Sequence, residues 1–227
     1  MALETRSVVD ALRSEMQGQI LRGSIPAGTP LAEVSVAEMF DVARPTAKAA
    51  IEQLVHVGLL RRSRNKTARV PLLNSADVAD LYLSRAVVES AVTRVLAERG
   101  EVPVEAARAL GRFRAAIADN RIDELVGADI DFHCALVAAT GSSRLRRLHE
   151  LVIGEAHLCM AQVQVHHLLD PQVIADEHGR ILAMIEARDA ARATLEMDAH
   201  ISRARNRLLA HLQEEEPVAA DERVNAE

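Results

Sequence analysis

The sequence predicts a mainly α-helical protein: an N-terminal winged helix-turn-helix followed by a C-terminal all-helical bundle of about six helices. Three observations lead there. The 227 residues are 49% apolar but only 2% aromatic, with no Trp, so the core must be built from Ala, Val, Leu, Ile and Met, which suits helices packed closely on small side chains. Apolar residues recur at three- and four-residue steps along most of the chain, the period of an amphipathic helix. That pattern breaks near residues 59–70, where two short apolar runs flank a polar turn. The length accommodates two ordinary domains, each able to bury a core.

From Arg6 to Leu21, Val9, Leu12, Met16 and Ile20 trace one amphipathic helix, ended by Gly23, Pro26, Gly28 and Pro30. Val34 to Phe40 reads as a short second helix. A tight turn at Asp41-Val42-Ala43 leads into a third from Pro45 to Val57, with Pro suited to the first helical position. Gly58 stops it. Leu59-Leu60 and Arg69-Val70 then read as two short strands joined by Ser63-Arg64-Asn65-Lys66. Three helices and a hairpin make a winged helix over residues 6–70, and residues 71–75 read as a linker in which Asn74 or Ser75 can cap the next helix. Helices are expected near 76–99, 104–119, 121–139, 142–168, 172–187 and 189–212. Gly100/Pro103, Asn120, Gly141, Asp170/Pro171 and Arg188 mark the breaks between them. The acidic tail over 213–227, with Pro217 and few large apolar residues, reads as disordered.

Two cysteines, Cys134 and Cys159, are too few for a disulfide scaffold and form no C-x-x-C pair. No apolar run approaches the roughly 20 residues that cross a bilayer, and no secretory h-region is present, so a cytoplasmic protein without a membrane partner is expected. The net charge of -6 is unevenly spread, with 10 Lys and Arg against 7 Asp and Glu in residues 1–74, but 17 against 26 thereafter. Residues 41–70 alone hold seven basic side chains and two acidic ones. A compact basic segment in an acidic protein points to a polyanion partner for that segment, because neutralising phosphates drives such binding.

In a helix-turn-helix the second helix enters the major groove, with its N-terminal residues at base edges and phosphates. Here it begins Arg44-Pro45-Thr46-Ala47-Lys48. Arg44 and Lys48 share a face with Thr46 nearby, and Arg suits bidentate guanine contact while Lys suits guanine or phosphate. Arg64, Asn65 and Lys66 at the hairpin tip would lie against the neighbouring backbone or minor groove, and Asn65 is the best candidate for a left-handed tip residue.

The helical part carries an unexpected polar set. Arg85 falls on the apolar stripe of Leu81, Val88 and Val92. Asp129 and His133, four apart, share the face of Ile122, Val126 and Leu136. His178 is in register with Ile174, Ile181 and Ile185, and His200 continues the stripe of Met197, Ala204 and Leu208. A buried Asp with three histidines is costly unless compensated, and a divalent cation bound by N and O ligands does this. With no thiolate the set suits Zn first, or Ni, Mn or Fe. Singly, each histidine would read as an ordinary core or surface residue. His157 follows Ile153 on an inner face, whereas His149, His166, His167 and His211 read as exposed.

The stretch Gly28-Thr29-Pro30-Leu31-Ala32-Glu33, with Val36-Ala37, Val42 through Ala50, Leu54 and Gly58-Leu59-Leu60, resembles the winged helix of GntR-family regulators. By that resemblance Arg44 and Lys48 match the family's two basic recognition-helix residues. The sequence departs from the usual pattern at Asp41, where Gly is common, and at Ala43, where a capping Ser or Thr is common. Asp129-Ile130-Asp131-Phe132-His133, Glu177-His178 with Ile181-Leu182, and Met197-Asp198-Ala199-His200 resemble the ligand-bearing helices of the FCD effector domain of the FadR subfamily. The resemblance makes Asp129, His133, His178 and His200 the metal ligands, and Arg85 a residue facing the effector pocket. Six effector helices place the chain nearer the VanR-like branch.

The expected function is a metabolite-responsive repressor, not an enzyme. It would bind a palindromic double-stranded operator as a homodimer and respond to a small carboxylate held beside a divalent metal. Two alternatives remain open: a regulator with a metal-free ligand pocket, and a metal-dependent hydrolase using Glu89 or Glu177, for which no nucleophile motif or phosphate loop is present.

Overall fold

The computed structural model describes residues 7–64, 66–162 and 168–224, with the side chains of residues 122, 123 and 214–224 left aside. The chain divides into two compact units, residues 1–72 and 73–227.

In the first unit, α1 (Val8–Leu21) starts at Ser7, whose hydroxyl accepts the Asp10 N–H as an N-cap. It buries Leu12, Met16 and Ile20. The short α2 (Glu33–Met39) inserts Val36. Asp41, at φ 49°, turns the chain into α3 (Arg44–His56), and an L-residue tolerates that left-handed conformation best when it is Asp or Asn. Ala47, Ala50, Ile51 and Leu54 bury one face of α3, leaving Arg44 and Lys48 on the solvent side.

The strand pairing differs from the expected local hairpin. β2 (Ala68–Arg69) pairs antiparallel with β1 (Pro30–Leu31), Pro30 opposite Arg69 and Leu31 opposite Ala68. Among the described residues, only Arg61 bridges on the other side of β2, exchanging two 2.9 Å hydrogen bonds with Arg69. Leu59 and Leu60 are not strand residues. Both are buried, at 2% and 1% exposure, so they plug the core rather than alternating between its two sides as a half-exposed strand would. The expected wing-tip residue Asn65 lies outside the described residues.

The second unit is a bundle of six helices among the described residues: α4 (Ser75–Arg99), α5 (Val104–Ala118), α6 (Ile122–Ala139), α7 (Ser143–Gln162), α8 (Pro171–Glu186) and α9 (Ala190–Val224). A capping box starts α4: Asn74 accepts the Asp77 N–H, and Asp77 accepts the Asn74 N–H. Asn120 and Arg188 sit at φ 54° and 58°, and Gly100 and Gly141 at 67° and 73°, so the breaks expected at these positions are left-handed turns. Asp170 caps α8 through the Gln172 N–H. The core packs small residues (Ala106, Ala109, Ala128, Ala156, Ala175, Ala193) around Tyr82, Phe113 and Phe132. α4 packs against α6, α7, α8 and α9.

One expectation about this unit changes, and part of another lies outside the described residues. α9 runs through the tail expected to be disordered and ends at Val224. The Glu and Ala residues of that stretch are strong helix formers. Residues 163–167, part of the helix expected over 142–168, lie outside the described residues, and His166 and His167 with them. Among the described residues no helix is long and apolar enough to cross a membrane.

Candidate functional site

Asp129 and His133 project from α6, His178 from α8 and His200 from α9 into one buried space, their ligand atoms all within 4.8 Å of one another. His133 and His178 are 0% exposed, His200 5% and Asp129 8%. The His200 Nε2 lies 3.3 Å from the His133 Nε2 and 3.4 Å from the His178 Nε2. Asp129 Oδ1 is 3.4 Å from the His178 Nε2, and Oδ2 is 3.9 Å from the His133 Nε2.

A second layer of carboxylates fixes how these rings are protonated. The His200 Nδ1 is 2.7 Å from Glu177 Oε2, whose other oxygen accepts from the Arg203 Nε at 2.6 Å. The His133 Nδ1 lies 2.5 Å from Glu89 Oε2. A carboxylate can only accept, so the hydrogen bond to Glu177 puts the His200 proton on Nδ1 and leaves its Nε2 as the lone-pair atom, and the close Glu89 contact favours the same tautomer for His133 without an aligned hydrogen bond. With both rings in that tautomer, the Nε2 lone pairs of His133 and His200 face each other at 3.3 Å. That arrangement repels itself unless a cation lies between them, and ions of this class take imidazole nitrogens at ~2.0–2.1 Å. The group could hold a metal, and its donor chemistry fits one.

Electrostatics agree. Burial lowers the pKa of His133, and burial with the neighbouring His200 and His133 holds His178 well below its ordinary value, so both rings are kept neutral and ready to ligate. Burial pushes Glu89 upward, but the Arg85 cation and His133 outweigh it and hold the carboxyl well below the usual range. Burial likewise opposes ionisation of Glu177, and its hydrogen bonds from His200 and Arg203 prevail. Burial pushes the Cys134 and Cys159 thiols up to about 12, so both stay protonated packing groups.

Arg85, 2% exposed, donates from its Nε to Glu89 Oε1 at 3.0 Å. Its Nη2 and the Tyr82 hydroxyl are buried without an aligned hydrogen-bond partner, and the guanidinium lies over the Tyr82 ring, 5.1 Å from its centroid. Both side chains line a cavity that also takes in Asp129 and His200. About 40 Å³ of it is open to the centre of a water-sized sphere, more than the ~10–15 Å³ that a single water needs.

Sequence reasoning placed His149 on the surface, yet it is 2% exposed and lies 3.1 Å from Glu89 Oε1. The signal was present: His149 stands four residues before the buried Ile153, in the same inward register. His157 and His211 are intermediate in exposure. Glu89 serves Arg85, His133 and His149 together.

In the first unit, Arg44 and Lys48 are exposed and Thr46 is half-buried. The Arg44 Nε donates to Glu33 Oε2 at 3.3 Å, and the Lys48 Nζ is 3.8 Å from Glu52 Oε1. Arg64 and Lys66 are exposed on the wing. One concavity brings Lys66 and Arg62, a residue that the sequence argument did not single out, beside Arg44 and Glu33.

Fold and site together define a winged helix-turn-helix unit and a helical unit that carries a buried Asp/His cluster beside a cavity. Residues 5–70 match the family described as bacterial regulatory proteins, gntR family, and residues 80–203 match the FCD domain. The chain belongs to the GntR family of bacterial transcription regulators, with an FCD domain consistent with the FadR subfamily. It is 24% identical over 204 residues to the HTH-type transcriptional regulator BphR of Paraburkholderia xenovorans (strain LB400), covering 86% of this chain and 83% of the relative. It is 26% identical over 198 residues to the HTH-type transcriptional repressor GlaR of Escherichia coli (strain K12), covering 82% and 89%. A crystal structure of a GntR transcriptional regulator from Rhodococcus sp. RHA1 superposes with a TM-score of 0.73 at 24% identity, covering 89% of this chain and 97% of that one. Its family makes the protein a DNA-binding regulator rather than an enzyme.

Proposed function

We propose that this regulator is a cytoplasmic repressor that binds a palindromic operator as a homodimer, and that a divalent metal and a small organic acid in the FCD domain set its grip on DNA. Asp129, His133, His178 and His200 hold the ion, Zn first among the candidates and Ni, Mn or Fe after it. When bound, the ion supplies a Lewis-acidic point that attracts a carboxylate. Arg85 pairs with the charge of that carboxylate. Glu89 and Glu177 keep His133 and His200 in the tautomer that ligates, and the buried position of the site excludes competing water. In the head, Arg44, Thr46 and Lys48 read the major groove, and Arg64, Asn65 and Lys66 meet the flanking backbone. A relative named as a repressor supports the sign of the regulation.

The observation that carries this reading is the pair of carboxylate-fixed imidazoles whose Nε2 atoms face each other at 3.3 Å. Adding Zn²⁺ to chelator-treated protein tests it. The melting temperature should rise for wild type and should not move for His133→Ala or His200→Ala. An equal rise in all three proteins would place the ion elsewhere.

A further inference from the structure

The cations of the first unit are not equally free. Arg44 leans on Glu33, its Nε 3.3 Å from Oε2, and the Lys48 Nζ lies 3.8 Å from Glu52 Oε1. Arg62 and Lys66 are exposed, and neither side chain has an ion-pair partner among the described residues. Both line one concavity with Glu33, Val34, Arg44 and Thr67. The backbone that carries them is tied down: Arg61 exchanges two 2.9 Å hydrogen bonds with Arg69, and the Lys66 N–H donates to the Ser63 carbonyl at 3.0 Å. Arg62 therefore follows directly on a strand bridge, at the stem of the wing rather than its tip.

In a helix-turn-helix the first helix of the pair crosses the sugar-phosphate backbone while the second lies in the major groove. Here that first helix, α2, reads Glu-Val-Ser-Val-Ala-Glu-Met and carries no cation. What it gives to the concavity is an acid and an aliphatic side chain, Glu33 and Val34. A DNA backbone passing there would meet net negative charge from α2, so the neutralising charge must come from a neighbouring segment. The wing stem supplies it.

We infer that Arg62 is a phosphate anchor: together with Lys66 it clasps the DNA backbone that crosses the start of α2, a contact separate from groove reading by Arg44, Thr46 and Lys48. This rests on the DNA-binding reading of the first unit and adds a residue to it. The planar fork of Arg62 matches two phosphate oxygens, and Lys66 adds a point charge beside it. Arg62 gives up no acid partner in order to bind, whereas Arg44 and Lys48 each exchange one for DNA. Its contact positions the duplex and carries no sequence information.

The wild-type chain is first used to select its operator from a random duplex pool, and a scrambled duplex of the same length serves as the non-specific probe. Arg62→Ala should weaken both duplexes by the same factor, about 10-fold per bound copy, and flatten the slope of log K against log salt by about 0.9 per chain. It should also select the same sequence from the pool. Arg62→Lys keeps the charge and should keep the wild-type slope. Ethylation of the operator phosphates should reveal a position that matters to wild type and no longer matters to Arg62→Ala. Because the side chain is exposed, both variants should melt with wild type. Unchanged affinity and slope in Arg62→Ala would overturn the anchor while leaving the Arg44 and Lys48 reading intact. A loss confined to the selected operator, or a changed selected sequence, would make Arg62 a base reader and overturn the backbone assignment. If wild type enriches no sequence, groove reading fails, and the response of the scrambled duplex still decides Arg62.

Discussion

Replacing Glu89 by Gln isolates the charge at the centre of the helical unit. Glu89 is 1% exposed and Arg85 2%, and they meet at 3.0 Å; the same carboxylate holds His133 at 2.5 Å and His149 at 3.1 Å. The Gln side chain keeps the shape and one acceptor oxygen but leaves the Arg85 cation buried without a counter-charge. Breaking a buried pair from one side costs about 3–5 kcal/mol, and the retained acceptor puts this case near about 3 kcal/mol. Because whole domains are stable by only about 5–15 kcal/mol, that is a large fraction. Urea unfolding of chelator-treated protein, followed by the helical signal, measures it free of any metal contribution. Arg85→Met combined with Glu89→Gln removes both charges and should recover most of the loss, to within about 1 kcal/mol of wild type. In both variants His133 loses its carboxylate partner, so zinc affinity should fall about 10- to 100-fold whether or not stability returns. A loss below about 1 kcal/mol in Glu89→Gln, or a double variant no more stable than the single one, would refute the assignment of this pair as a mutually dependent buried ion pair.

Other outcomes follow from the same structure. Arg44→Ala with Lys48→Ala should weaken operator binding without unfolding the head and flatten the salt dependence of log K by up to about 1.8 per chain; an unchanged slope in salt-matched gel shifts would show that neither side chain reaches phosphate. Ala43→Ser should stabilise the head by about 1 kcal/mol, since α3 has no side-chain cap at Ala43, and an unaltered thermal transition would show that a serine there does not reach the α3 N–H groups. Chelator-treated protein should lose stability as pH falls below about 6.5, the ordinary histidine value. His133 and His178 have lowered pKa values in the folded state, so the unfolded chain takes up the extra protons, and the loss reaches about 1.4 kcal/mol per pH unit for each ring. Stability flat between pH 7 and pH 5 would contradict the buried neutral rings.

Much of this architecture is written locally. Asn120, Gly141 and Arg188 end helices because the chain must turn left-handed there, and the Asn74–Asp77 capping box is legible within four residues. The inward register of Asp129, His133, His178 and His200 follows from helical spacing, and the structure brings the four together. What escaped the sequence is what depends on distant partners. The pairing of residues 30–31 with 68–69 joins segments nearly forty positions apart, while local pattern favoured a neighbouring hairpin. The Glu89 links to His133 and His149 cross from α4 to α6 and α7, and no spacing along one helix reveals them. That the Tyr82 hydroxyl lacks an aligned partner is visible only once its surroundings are known.

The central claim is that a buried cage of three imidazoles and one carboxylate holds a divalent ion. X-ray absorption at the edge of the metal that copurifies with the protein tests it most directly. The account predicts a first shell of nitrogen and oxygen at ~2.0–2.2 Å with the multiple-scattering signature of several imidazoles, lost in His133→Ala. A sulfur shell at ~2.3 Å, or protein that retains no metal after zinc loading and desalting, would contradict it.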